Sequence, residues 1–215
     1  MIREFDFDAP GDPKPNRLRF RNETRCVSAL FERCYKPFKE TGKPWKILVE
    51  VVRGNAKPGY KDVGGVLTTQ VEGDIDHFFE LDKANKKQRT LDLLMEGIEQ
   101  VARLLSFDIS PFEVAAEEVK KLKFVNEWVW GSPIPNRSNT LSAEVLVSHD
   151  IEAATLSARI KNGGGNVVDI LPLVSDQPNE FIFDEYFGSV SWLNDMTIEL
   201  VSRNGEKRYT ATIAR

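Results

Sequence analysis

The spacing of apolar residues changes near Lys123, and that change limits the folds open to this 215-residue chain. Upstream, Leu91, Leu94, Ile98, Val101 and Leu105 recur at intervals of three and four, the period of one helix face. Downstream, Ala143, Val145 and Val147, then Leu156, Ala158 and Ile160, alternate with other residues, the period of a strand with one buried side. No helix-length stripe interrupts the downstream part. The chain is therefore expected to be α+β: an N-terminal mixed sheet covered by two or three helices, followed by a C-terminal antiparallel β-sandwich-like module. Residues 1–131 read as the α+β domain and 141–215 as the β module, either separate or packed as one unit. Between them 132–140, rich in Ser, Pro and Asn, reads as a linker.

In the first domain, Leu18 and Phe20 alternate with Arg17, Arg19 and Arg21, which predicts a short strand with one wet face. Val27, Leu30, Phe31, Cys34, Tyr35 and Phe38 predict a helix next, ended by Pro37, with Gly42 and Pro44 at its exit. Its two cysteines, Cys26 and Cys34, are eight residues apart on one helix and too distant to bond, so reduced structural thiols are expected. Residues 45–52 are apolar and β-branched enough for a central strand, with 66–71 and 75–81 as its neighbours. A long helix follows, from Asp82 or Lys86 to Ser106. Ser110-Pro111-Phe112-Glu113 then has the letters of a capping box, which predicts a second helix starting at Pro111 with Ala115, Val119 and Leu122 buried. Residues 124–130 read as a strand that points Trp128 and Trp130 the same way, into a core or a domain interface.

The β module predicts its own pairing. A two-residue type I′ turn at Asn204-Gly205 sets Leu200 opposite Tyr209, Ile198 opposite Ala211 and Met196 opposite Ile213 on an apolar face. The other face then carries Thr197 with Thr212, Glu199 with Thr210 and Val201 with Arg208, and puts Arg208 diagonal to Glu199. Gly163-Gly164-Gly165 lets the chain reverse between two strands, Val168, Ile170 and Val174 read as an apolar row, and 180–183 reads as a further strand.

The residue types exclude several functions. Ser148-His149-Asp150 has triad letters, but adjacent residues cannot set Ser against His and His against Asp, and no Gly-x-Ser-x-Gly elbow is present. Gly163-Gly164-Gly165-Asn166 lacks the Lys-Ser/Thr of a phosphate loop, and no cofactor fingerprint occurs. The basic run Lys83, Lys86, Lys87 and Arg89 reads as a solvated helix face rather than a nucleic-acid surface. The acidic, apolar-poor start of the chain has neither signal-peptide nor transit-peptide character, no run is long enough to span a membrane, and mean hydropathy is -0.35; a cytoplasmic, soluble protein is expected.

Charge supplies the remaining lead. The 41 residues 162–202 contain no Lys or Arg but seven acids, while Phe181, Phe183, Tyr186, Phe187 and Trp192 are interleaved with them. An acidic surface studded with large rings suits a basic protein partner. The expectation is a non-enzymatic binding or inhibitor protein, of the kind a bacterial immunity protein represents, masking a basic toxin. Its candidate partner-binding residues are Asp176, Glu180, Asp184, Glu185, Tyr186, Phe187, Trp192 and Asp195. The alternatives are a carboxylate- or metal-dependent enzyme centred on Glu72, Asp74, Asp76 and His77, and a homo-oligomeric structural component joined through strand edges and tryptophans.

Overall fold

The computed structural model describes residues 2–36 and 44–214, so Pro37, Phe38 and Gly42, given to the first helix and its exit, lie outside the described residues. The chain divides into two compact units, Met1–Asn126 and Glu127–Arg215, and is α+β.

The first unit contains β1 (Glu4–Asp8), α1 (Lys14–Cys34), β2 (Lys46–Val52), β3 (Tyr60–Val63), β4 (Val66–Glu72), α2 (Ile75–Glu80), α3 (Lys83–Leu105) and α4 (Ser110–Lys121). Its sheet has the order β1-β2-β4-β3, with β1, β2 and β4 parallel and β3 an antiparallel edge. The apolar 45–52 segment is accordingly central. Phe7, Val49 and Thr69 stand in one row across the sheet, and Phe5, Ile47 and Leu67 in another. Both rows are buried, and the helices pack on them: Phe31 of α1 and Phe112 of α4 meet Phe5 edge-on, and Gly97 of α3 lies against Val49 and Thr69. The close α3 approach requires glycine, because a Cβ at Gly97 would stand 2.6 Å from Val49 Cγ2. On the opposite face charges compensate one another: Lys46 Nζ is 3.0 Å from Asp6, and Arg17 pairs with Asp8.

Five expectations for this unit are corrected. The strand expected around Leu18 and Phe20 is the start of α1: Phe20, Thr24, Val27 and Phe31 form its buried stripe, and Leu18 is exposed. Five alternating residues were too few to separate a period of two from one of 3.6. The strand expected at 75–81 is the short helix α2, because Asp74 accepts a hydrogen bond from the Asp76 N–H and so caps it. The capping box is not made by Ser110: it is the Asp108 carboxylate that accepts from the Ser110 N–H and hydroxyl, and α4 begins at Ser110 itself. Within α4, Phe112 takes the buried place expected of Leu122, which is exposed. The basic run of α3 is not one solvated face either, since Lys86 is buried with its ammonium 2.6 Å from Glu23. Cys26 and Cys34 are free thiols on α1, and burial pushes the Cys34 thiol up.

The second unit contains β5 (Glu127–Pro135), β6 (Leu141–His149), β7 (Ala154–Asn162), β8 (Val167–Asp176), α5 (Glu180–Phe183), a 3-10 turn (Asp184–Tyr186), β9 (Ser189–Trp192), β10 (Thr197–Val201) and β11 (Arg208–Thr212). Two antiparallel sheets result, β5-β6-β7-β8 and β11-β10-β9. Their inner faces share a core in which Val145, Val147 and Leu156 of the first sheet meet Leu200 of the second, closed by Phe183 and Tyr186. Trp128 and Trp130 pack against the same cluster, as expected of core tryptophans.

The hairpin register holds at each of the five pairs formed, from Thr197 with Thr212 to Val201 with Arg208, and the Arg208 guanidinium lies 2.9 Å from Glu199. The turn differs. Only Gly205 has positive φ there (77°), Ser202 N–H donates to Lys207 O, and four residues rather than two make the connection. Register survives because the longer loop is centred on the same Asn204-Gly205 pair. Residues 132–135, read as linker, belong to β5: Ile134 and Pro135 pair with Ala143 and Ser142 beyond a register shift. An edge strand tolerates the prolines, and Gly131 (φ 77°) accommodates the irregularity. Val168 and Ile170 are exposed rather than an inward row, because bulges in β8 turn Leu171 and Leu173 toward the core instead. The strand expected at 180–183 is α5, capped by the Asn179 side chain accepting from the Phe181 N–H.

Candidate functional site

The residues singled out in the acidic stretch are positioned by the connection from β8 to β9 and by β10. The chain leaves β8 at Asp176, turns through Pro178 and winds one helical turn. Asp176, Asp184, Glu185 and Tyr186 come together here. The buried Tyr186 donates its hydroxyl to the Asp176 carboxylate; that hydrogen bond and the Gln177 N–H hold Asp176 below its ordinary range. Burial, with the Asp176 charge alongside, pushes the Tyr186 phenol up.

The acids of this corner are not bare. Arg203 grips Asp184 with both terminal guanidinium nitrogens, Nη1 and Nη2, at 2.6 and 3.0 Å, and the Lys207 ammonium is 2.5 Å from Glu185 and 5.6 Å from the centre of the Tyr186 ring. Arg203 also donates its backbone N–H to the Glu185 carbonyl at 2.7 Å. Both cations follow the acidic stretch in sequence and reach back because the β10–β11 hairpin reverses the chain. With Asp176, Glu180, Asp184 and Glu185 set against Arg203 and Lys207, the corner keeps a net charge of -2.

The aromatic residues are placed differently from the expectation. Tyr186 is in the core, and Phe187 packs on Trp130 with ring centroids 5.2 Å apart. Trp192 is half-buried and donates its indole N–H to Ile134 O at 2.9 Å. These three rings are therefore committed to folding. Asp195 accepts from the Ser138 N–H at 3.0 Å and precedes β10, so Trp192 and Asp195 lie toward the opposite end of that strand from the corner. The separation over five residues is roughly 15 Å. The ring that does face solvent is Phe181, 93% exposed, whereas a strand over 180–183 would have set it on the same side as Phe183. In one helical turn, residues two apart face opposite ways, and Phe183 takes the inward position with 1% exposure. Asn179 followed by Glu180 was the signal for this geometry: a side-chain cap and then a first-turn acid.

In the first unit, the carboxylates at 72–76 do not converge on a metal position. Arg53 sits among three acids, 2.8 Å from Asp12, 3.1 Å from Asp74 and 2.7 Å from Asp76. Glu72 accepts from the Ala56 N–H at 3.2 Å, and His77 is exposed, 3.7 Å from Glu80. Among the described residues, no group of three His, Cys, Asp or Glu side chains could hold a metal ion. Beside them lies a cleft of about 410 Å³, with Phe20, Val51, Ile75, Phe78 and Leu93 among its apolar walls and His77, Gln88, Arg89 and Asp92 among its polar ones. In the second unit, the buried His149 donates Nε2–H to Pro178 O at 3.1 Å and meets Phe183 edge-on, a position that braces the α5 connection. Among the described residues, no helix is long and apolar enough to cross a membrane. Comparisons of the chain with known protein families, characterised proteins and solved structures find no match.

Proposed function

We propose that this is a non-catalytic binding protein that docks on a basic protein through the α5 corner of its C-terminal unit, with Phe181 as the anchor. The observation that carries the reading is the 93% exposure of Phe181 on a turn whose other large rings are packed inward. An exposed phenyl ring costs hydration in the free protein and gains most when a partner pocket covers it; such central aromatic anchors are often worth 2 kcal/mol or more of binding, about a thirtyfold change in affinity. With Asp184 paired to Arg203 and Glu185 to Lys207, the negative potential of the rim is the net charge of -2 left by Asp176, Glu180, Asp184 and Glu185, which favours a basic partner and speeds encounter at low salt. The finer reading, an inhibitor that masks a cationic toxin as a bacterial immunity protein does, is supported by the same acidity. The test compares partner capture by the wild-type chain, Phe181→Ser and the charge reversal Asp184→Lys/Glu185→Lys. Capture lost in Phe181→Ser and salt-sensitive in the wild type supports the reading; capture equal in all three chains removes it.

A further inference from the structure

The cleft of the N-terminal unit carries an independent inference. It lies where the parallel strands β2 and β4 end, with Val51 and Gly73 in its wall. In open sheets with parallel strands, the carboxyl ends are where ligands bind, because the chain diverges there and leaves a crevice between connections. Its volume of about 410 Å³ suits a small organic molecule, and its walls are apolar at the floor and polar at the rim, as ligand pockets are.

The charges at that rim are unequally satisfied. Asp74 is held by Arg53, Asp92 accepts from the Gln88 side-chain amide at 2.7 Å, and Asn85 donates to Asp82 at 3.0 Å. Arg89 is left over. It is half-buried, its contact with the Glu72 carbonyl is 3.5 Å long, and among the described residues no carboxylate lies within ion-pair distance of it. Its Nη2 would be 3.9 Å from a Cβ placed on Gly73, which puts the guanidinium at the cleft wall beside Val51 and Leu93. A guanidinium bordering an apolar floor has a planar fork of donors suited to a carboxylate or phosphate, while the floor suits a ring or branched alkyl group.

We propose that this cleft binds a small organic anion, a carboxylate or phosphate monoester carrying an apolar body, with Arg89 as the counter-charge. The site is separate from the α5 corner and does not depend on the docking reading. It is tested on the full chain by calorimetry and amide NMR with phenylacetate, phenyl phosphate and the neutral benzyl alcohol as probes. Saturable binding of at least one anionic probe is expected, with shifts at Gly73, Ile75 and Leu93. Which of the two anions binds tighter assigns the headgroup. Arg89→Gln is expected to weaken binding at least tenfold and Arg89→Lys to retain part of it, each checked for native circular dichroism. Phe181→Ser is expected to bind the probes like the wild type, so failure of one proposal leaves the other standing. No saturable binding of either anion, equal affinity in Arg89→Gln, or equal affinity for benzyl alcohol would overturn the proposal.

Discussion

Phe181 and Phe183, two positions apart in the four-residue helix α5, should respond very differently to the same substitution. Phe183 is 1% exposed, meets His149 at 5.2 Å and Phe187 at 6.1 Å between ring centroids, and shares its cluster with Val145, Val147, Leu156 and Leu200. Phe183→Ala removes a ring from the point where both sheets converge, a site that cannot collapse without moving two sheets, so the expected cost is about 3–5 kcal/mol. Phe181 is 93% exposed, and Phe181→Ala should change stability by less than about 0.5 kcal/mol. Urea unfolding followed by tryptophan fluorescence reports the relevant unit, because Trp128, Trp130 and Trp192 belong to it and only Trp45 does not. With a slope of about 2 kcal/mol per molar urea, the Phe183→Ala midpoint should fall by roughly 2 M while that of Phe181→Ala stays in place. A loss above about 1 kcal/mol for Phe181→Ala would mean that the ring is packed, and would refute both the assigned orientation of α5 and the anchor role built on it.

Further outcomes follow from the Tyr186 hydrogen bond and from two closely packed glycines. Tyr186→Phe removes the hydroxyl that donates to Asp176 and should cost about 1–2 kcal/mol, toward the low end for a hydrogen bond to a charged group because Asp176 keeps partial access to water. The folded-state pKa of Asp176 lies below its unfolded value, so its contribution is present above the ordinary carboxylate pKa of 3.8 and is lost as pH falls through the lower folded value; the penalty of Tyr186→Phe, read from urea midpoints, should therefore shrink from pH 7 to pH 2. Gly188→Ala places a Cβ 2.2 Å from the Val201 carbonyl oxygen, a backbone atom at the end of β10 that cannot swing aside, whereas Gly97→Ala meets the Val49 side chain at 2.6 Å. Both should destabilise by about 1–3 kcal/mol or more, and thermal melts should show the larger loss for Gly188→Ala.

What was legible in the sequence depended on how many residues repeated the signal. The stripe of α3 from Leu91 to Leu105 repeats over about four turns, and the β10–β11 register is fixed jointly by a turn and by two faces that must both make sense, so each was read correctly. Leu18 and Phe20 offered a single alternation, and 75–81 and 180–183 were short apolar runs whose state is decided by one capping side chain, Asp74 or Asn179. A local hydrogen bond thus outweighed residue preference at both places. The prolines of β5 suggested a break, but their missing N–H costs little on an edge strand, which has no further strand of its sheet for that group to donate to.

The candidate sites were less legible than the fold, for one physical reason that applies to both units. Availability of a charge is a property of a neighbourhood in space, while a sequence window sums charge along the chain. The window 162–202 sums to -7, yet the hairpin that follows it carries Arg203, Lys207 and Arg208 back onto Asp184, Glu185 and Glu199. In the first unit, Asp12, Asp74 and Asp76 come from two distant parts of the chain and are gathered by one Arg53. Pairing removes the groups that sequence reading ranked first and leaves those it passed over: Phe181, exposed because Phe183 took the inward place, and Arg89, left without a carboxylate while Arg53 engages Asp74 and Gln88 engages Asp92. If this reasoning holds, Arg53→Ala should release Asp74 at the cleft rim, give Arg89 a competing intramolecular carboxylate, and weaken anion binding without touching the anion's own contacts. Unchanged or tighter binding in Arg53→Ala would show that Arg89 is not governed by this local charge balance.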